Sequence, residues 1–174
     1  SSDLGGRSLM PAMDLPNVGR MAMLADPQGA PFYVMRPEGE GENTSFSPTL
    51  PGRCSWNELA TSDQKGALAF YKGQFGWSEG GSMPMGEMGD YVFIVHDETP
   101  LGAVMTRRPD GPPPMWLFYF RVKDVSAAAE RIKSGGGTVM HGPVEVPGGD
   151  FIVVATDPQG AAFYIMDPIP PAGM

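Results

Sequence analysis

Thr156–Met166 reads TDPQGAAFYIM, and Ala25–Met35 reads ADPQGAPFYVM. In both copies Asp-Pro-Gln-Gly is turn chemistry: proline fixes φ at the second turn position, and glycine takes the positive φ that other side chains resist. A short apolar run follows each turn, so each copy predicts strand, tight turn, strand. The likeness extends beyond the turn. The offset of 131 positions between Asp26 and Asp157 (157 − 26) also superposes Gly6 on Gly137, Pro16 on Pro147 and Pro37 on Pro168. An ungapped match of that length is an internal repeat. In 174 residues it implies one complete unit, preceded by the C-terminal part of another.

Working outward, residues 1–36 read as a partial βββ segment with strands at Leu9-Met10, 21–24 and 32–35. Three strands with one apolar face do not stand alone in water. Met21, Met23, Phe32 and Val34 would be left facing solvent, so the segment is expected to fold back on its own unit or to cross to a second chain; a homodimer is the expected form. Residues 37–53, rich in Glu, Gly, Pro, Ser and Thr, read as a linker. Residues 54–170 hold the complete unit. There residues 56–61 predict a strand, Ser62 or Asp63 an N-cap, and residues 64–75 a helix with Ala67, Phe70, Tyr71 and Phe75 on one side and Gly76 as its stop. Strands are expected between Trp77 and Tyr91, at 91–96 and at 101–107. The pattern then restarts: a strand at 116–122, and a helix opened by Asp124 with Val125, Ala128, Ala129 and Ile132 at i, i+3, i+4 and i+7. Strands at 138–140, 151–155 and 161–166 complete it. The order β-α-β-β-β given twice makes the fold α+β, with helices covering one face of antiparallel-rich sheets.

Twelve Lys and Arg against twenty Asp and Glu give a net charge of −8. With no basic run interleaved with aromatics, that balance opposes nucleic-acid binding. No apolar run approaches the roughly 20 residues of a membrane span, and no signal-peptide pattern is present. A single cysteine, Cys54, forms no intramolecular disulfide, which is consistent with a cytoplasmic location.

Leu59-Ala60-Thr61-Ser62-Asp63 running into Ala69-Phe70-Tyr71, then Phe75-Gly76-Trp77, carry a family likeness. So do Val122-Lys123-Asp124-Val125, Gly136-Gly137 and Thr156-Asp157-Pro158-Gln159-Gly160 in the second half. In this order they resemble the vicinal oxygen chelate superfamily, which includes glyoxalase I, bleomycin-resistance proteins, fosfomycin-resistance enzymes and extradiol dioxygenases, and in particular its tandem four-module members. The resemblance implies paired βαβββ modules curled into a cup, with a divalent metal held between them. It places the first-strand ligands seven positions before each helix-opening Asp, at Trp56 and Leu117. The last-strand ligands fall at Tyr164 and at Ala103 or Val104. Indole, isobutyl, methyl and isopropyl groups offer a metal ion no lone pair, and a neutral phenol is a poor ligand. No metal and no cofactor are therefore expected.

Strand alternation gives what lines the cup in their place. With Trp56 goes Glu58; with Leu117 go Tyr119 and Arg121; with Tyr164 goes Met166. The expected ligand-binding set is Trp56, Glu58, Tyr119, Arg121, Tyr164 and Met166, mostly apolar walls with two charged anchors. Leu59 and Thr61 then face the helix side, and Phe118, Phe120 and Val122 are assigned to the hydrophobic core. Blander readings stand beside these. Glu58 and Arg121 can serve as a structural ion pair, and the aromatics can fill the cup. His96, beside Asp97 and Glu98, reads as a solvated turn, and His141 as surface. Cys54 has neither histidine close in sequence and is not expected to be a nucleophile. The thirteen methionines read as soft core filler. The expected function is metal-independent small-molecule binding, with catalytic residues unassigned. The alternatives are a metal-dependent lyase or dioxygenase with ligands displaced to Glu58 and His96, and a non-catalytic interaction domain.

Overall fold

A computed structural model describes residues 5–39, 41 and 43–167. The chain divides into two compact units, one of residues 1–43 and 57–116 and the other of residues 44–56 and 117–174.

In the first unit, β1 (Arg7–Leu15), β2 (Gly19–Ala25) and β3 (Pro31–Pro37) form an antiparallel sheet in the order β1-β2-β3. The β2–β3 turn is built by Asp26, whose Oδ1 accepts from the backbone N–H groups of Gln28 at 3.0 Å and Ala30 at 2.8 Å. Then follow β4 (Cys54–Thr61), α1 (Gln64–Phe75), β5 (Ser78–Pro84), β6 (Asp90–His96) and β7 (Thr99–Thr106). These strands lie in the order β5-β6-β7-β4, with β4 parallel to β7. The helix starts where Asp63 Oδ1 accepts from the Gly66 N–H at 3.0 Å, satisfying one of the orphan donors of the first turn. It ends at Gly76, left-handed at φ 70°. Ala67, Phe70 and Tyr71 pack with Leu59, Ile94 and Val104.

The three N-terminal strands cover α1. Phe32 sets its ring 6.1, 5.6 and 6.0 Å from those of Phe70, Tyr71 and Phe75, all edge-on. Phe32 is therefore not left facing water: the segment folds back on its own unit, because α1 carries aromatic side chains beyond what its own sheet uses.

The second unit takes in the end of β8 (Met115–Arg121), then α2 (Val125–Ser134), β9 (Thr138–Glu145), β10 (Phe151–Thr156) and β11 (Ala162–Asp167), in the sheet order β8-β11-β10-β9. Asp157 repeats the turn of Asp26, accepting from Gln159 N–H at 2.9 Å and Ala161 N–H at 2.8 Å. The repeat is thus one of hydrogen bonding as well as of sequence. Helix α2 lies on β9, β10 and β11, with Val125, Ala128 and Ala129 buried against Val153, Ala155 and Ile165. Its first N–H, from Val125, donates to Asp167 Oδ2 at 2.6 Å. Phe118 and Phe120 correct the core assignment: they are 49% and 45% exposed. They share a face with Ile165, since Phe120 pairs with it across β8 and β11. The core-facing side of α2, however, is made of valine and small alanines packed over β9–β11, so the two rings on β8 stay open. Residues 37–53 are not wholly free of structure. Phe46 bridges Cys54, and Gly52 N–H and Arg121 N–H bond to Arg121 O and Arg53 O at 2.8 and 2.9 Å.

Candidate functional site

Five of the six expected lining residues belong to the second unit and Glu58 to the first. On the second unit's sheet, β8 and β11 run parallel with Tyr119 opposite Tyr164 and Arg121 opposite Met166. This register brings all four side chains to the face away from α2. The two tyrosine rings stand 5.1 Å apart, tilted by 48°, in the range where aromatic pairs attract. Tyr119 and Arg121 are each only 7% exposed and Met166 is also buried, while Trp56 and Tyr164 are half-buried.

Arg121 is the charged feature of this face. Its Nη1 lies 3.3 Å from Asp150 Oδ1 and its Nη2 3.9 Å from Met166 Sδ. Its Nε–H is buried and has no acceptor among the described residues. A buried donor left unpaired costs free energy, and a ligand oxygen can recover it. Asp167, next to Met166 at the end of β11, has its carboxyl lifted above the usual range. Loss of hydration is the main cause; the Val125 N–H pulls it down, the charges of Asp124 and Asp150 raise it, and Arg121 lowers it.

In the first unit, Glu58 Oε2 accepts from Tyr91 O–H at 2.8 Å, and Tyr91 meets Phe93 edge-on at 5.6 Å. The partners Asp150 and Tyr91 were not foreseen. Tyr91 was reachable by extending the alternation from Glu58 across β7 to β6, whereas Asp150 sits in the turn before β10 and gives no periodic signal. His96 is at the end of β6, with Nδ1 3.5 Å from Asp97 Oδ2, both side chains being largely exposed. It occupies a tight hairpin turn in which Asp97 and Glu98 have φ of 45° and 66°. His141 is exposed on β9. Burial raises the Cys54 thiol, whose S–H points to Trp56 O at 3.7 Å, so it is a poor source of thiolate.

The positions that the resemblance assigns to the family's metal ligands are Trp56, Leu117, Tyr164 and Ala103 or Val104. Ala103 and Val104 are moreover sealed in the sheet, at 0% and 1% exposure. Among the described residues no three His, Cys, Asp or Glu side chains converge on a point that could hold a metal ion. No helix among the described residues is long and apolar enough to cross a membrane.

Comparison with known proteins agrees with this architecture. The chain is 33% identical over 166 residues to CFP32 of Mycobacterium tuberculosis, provisionally named a glyoxylase, with 95% of this chain and 62% of that protein covered. It is 34% identical over 163 residues to the anthracycline biosynthesis protein DauV of a Streptomyces species, covering 94% of this chain and 58% of that one. The chain thus spans about three fifths of these curated relatives. Among solved structures, the Mn(II)-bound glyoxalase of Novosphingobium aromaticivorans matches 97% of this chain and 56% of its own, with a TM-score of 0.66 at 16% identity. Methylmalonyl-CoA epimerase of Mycobacterium tuberculosis matches 71% of this chain and 93% of its own, with a TM-score of 0.55, also at 16% identity; both show likeness of fold. The family model described as Glyoxalase/Bleomycin resistance protein/Dioxygenase superfamily matches residues 53–165, and the chain belongs to that superfamily.

Proposed function

We propose that the protein is a metal-independent small-molecule binder of this superfamily, taking its ligand against the sheet face that carries Tyr119, Arg121, Tyr164 and Met166. The observation that carries the reading is Arg121, a buried guanidinium whose Nε–H is unpaired among the described residues, beside two tyrosines, in a chain where the positions that the resemblance assigns to metal ligands are Trp56, Leu117, Tyr164 and Ala103 or Val104. Tyrosine faces and a methionine thioether suit a flat apolar body, and the free N–H suits a carbonyl, phenolate or carboxylate at its edge. The relatives named for anthracycline biosynthesis support planar aromatic ketones and quinones as the first compounds to try.

The test is a titration of such compounds into the chain, followed by tryptophan fluorescence, with and without added divalent ions. Saturable binding that is insensitive to chelator and falls about tenfold or more in Arg121→Gln and Tyr164→Ala is the expected result. Binding or turnover that requires a stoichiometric Mn²⁺, Zn²⁺, Ni²⁺ or Fe²⁺ would sink this reading and favour the metal-dependent lyase or dioxygenase.

A further inference from the structure

The guanidinium of Arg121 is not a bare charge, because Asp150 Oδ1 lies 3.3 Å from its Nη1. The backbone fixes where that carboxylate stands. In the turn between β9 and β10 the Val146 N–H donates to Asp150 O and the Gly149 N–H to Val146 O, both at 2.9 Å. Gly148 and Gly149 supply the positive φ that this turn requires, 107° and 90°. Ile152 pairs with Met166, and Met166 with Arg121. Asp150 lies two positions before Ile152, so alternation puts it on the same face as Met166 and Arg121, and it reaches Arg121 past the end of β11.

The pair cancels the charge at the polar centre of this face, and the other charged groups around it do not restore a positive one. Asp124 and Asp167 are further carboxylates at the same corner: the charges of Asp124 and Asp150 raise the Asp167 carboxyl, and Arg121 lowers it. Arg53, whose carbonyl accepts the Arg121 backbone N–H, and Lys123, two residues along the chain, are both exposed, so water and salt screen them. Such a centre offers the Nε–H of Arg121 to an acceptor but no uncompensated positive charge to an anion. A ligand carboxylate would set a second negative charge beside Asp150 against one guanidinium, and close charges repel strongly where water is largely excluded. The oxygen of a ketone or quinone accepts the same N–H without adding charge.

We propose that Asp150 is a specificity-determining residue of this site, selecting ligands that present a neutral oxygen acceptor, a ketone or quinone carbonyl, over those that present a carboxylate or phenolate. The inference rests on the reading of this face as the binding site and narrows it. Tyr119, Tyr164 and Met166 hold the flat body, Arg121 takes the oxygen at its edge, and Asp150 sets the charge that oxygen can carry.

Methyl naphthyl ketone and naphthoate, substituted at the same ring position, share a body and differ in the charge at its edge. Each is titrated into the full chain at neutral pH, with the Met166 methyl signal as the readout. The ketone should bind about tenfold or more tightly than the carboxylate. Asp150→Asn, which keeps the size and removes the charge, should lower that ratio by about tenfold, and Asp150→Glu, which keeps the charge, should restore the preference. A carboxylate that binds the unaltered chain as tightly as the ketone, a comparison that needs no variant, would overturn the role of Asp150 and leave the binding face standing. So would a ratio unchanged in Asp150→Asn. Failure of both compounds to move the Met166 signal of the unaltered chain would sink the binding face, and this inference with it.

Discussion

The Tyr71 hydroxyl donates to Asp26 Oδ2 at 3.1 Å while accepting from Trp116 Nε1 at 2.9 Å. One side chain on α1 thereby joins the turn of the N-terminal sheet to the start of β8. Asp26 is 1% exposed, whereas its repeat counterpart Asp157 makes the same turn in a far more open setting. Burial of a carboxylate is tolerated only when its oxygens are occupied, and here Oδ1 takes two backbone donors and Oδ2 takes the phenol. Burial raises the Tyr71 phenol far above its ordinary range; the Trp116 bond opposes that and the Asp26 charge reinforces it, so the group stays a donor at every pH the protein experiences. Tyr71→Phe keeps the ring packing and removes only the bridge. It leaves Asp26 one donor short and the indole N–H without its acceptor, at a cost of about 1–3 kcal/mol. For a domain of this size each kcal/mol lowers the melting temperature by about 2–4 °C. Thermal unfolding followed by circular dichroism checks this, and an unchanged melting temperature would show that the bridge contributes nothing.

Gly102 shows what constrains an element more tightly than its own sequence reveals. It lies on β7 at φ 156°, opposite Asn57 of β4, and a Cβ added there would run into the Asn57 backbone. Gly102→Ala should force the parallel pair apart and cost about 3 kcal/mol or more. Gly81→Ala on β5, with φ 109° and open space around it, should cost only the left-handed backbone strain of about 1–2 kcal/mol. Urea unfolding of the two variants separates steric from conformational cost, and equal losses would refute the steric account. Much of the element plan was legible. Asp63, Asp124 and Gly76 mark helix ends by local chemistry, and alternation separated Leu59 and Thr61 from Trp56 and Glu58. Alternation also grouped Tyr119 with Arg121 and Tyr164 with Met166, and the β8–β11 register brings those pairs side by side. It could not say what covers a face, which is why Phe118 and Phe120 were assigned to a core they do not enter. Gly102, Tyr91 and Asp150 act through strands or turns distant in sequence, so no local pattern announces them.

At the scale of the molecule, α1 is the element on which the first unit depends, because it is packed from two directions. Ala67, Phe70 and Tyr71 are buried with Leu59, Ile94 and Val104 of its own module, while Phe32 and Ala30 come from the N-terminal sheet. Gly6 approaches so closely that a Cβ there would stand 2.9 Å from the Phe70 ring. Removing residues 1–37 would therefore do more than trim an appendage. It would bare parts of Phe70, Tyr71 and Phe75 and remove Asp26 from the Tyr71 hydroxyl. Aromatic side chains each bury about 150–250 Å², and at roughly 25 cal/mol per Å² uncovering a part of three of them costs several kcal/mol, a large fraction of the 5–15 kcal/mol that typically holds a domain together. The truncated chain is expected to aggregate or to self-associate through the bared face, which size-exclusion chromatography with light scattering would register as mass above one chain. Phe32→Ala in the full chain tests the same contact without deletion and should cost about 3 kcal/mol or more. A truncated chain that stays monomeric with the melting temperature of the whole would mean that β1–β3 merely rests on α1, and that the first unit's core closes without it.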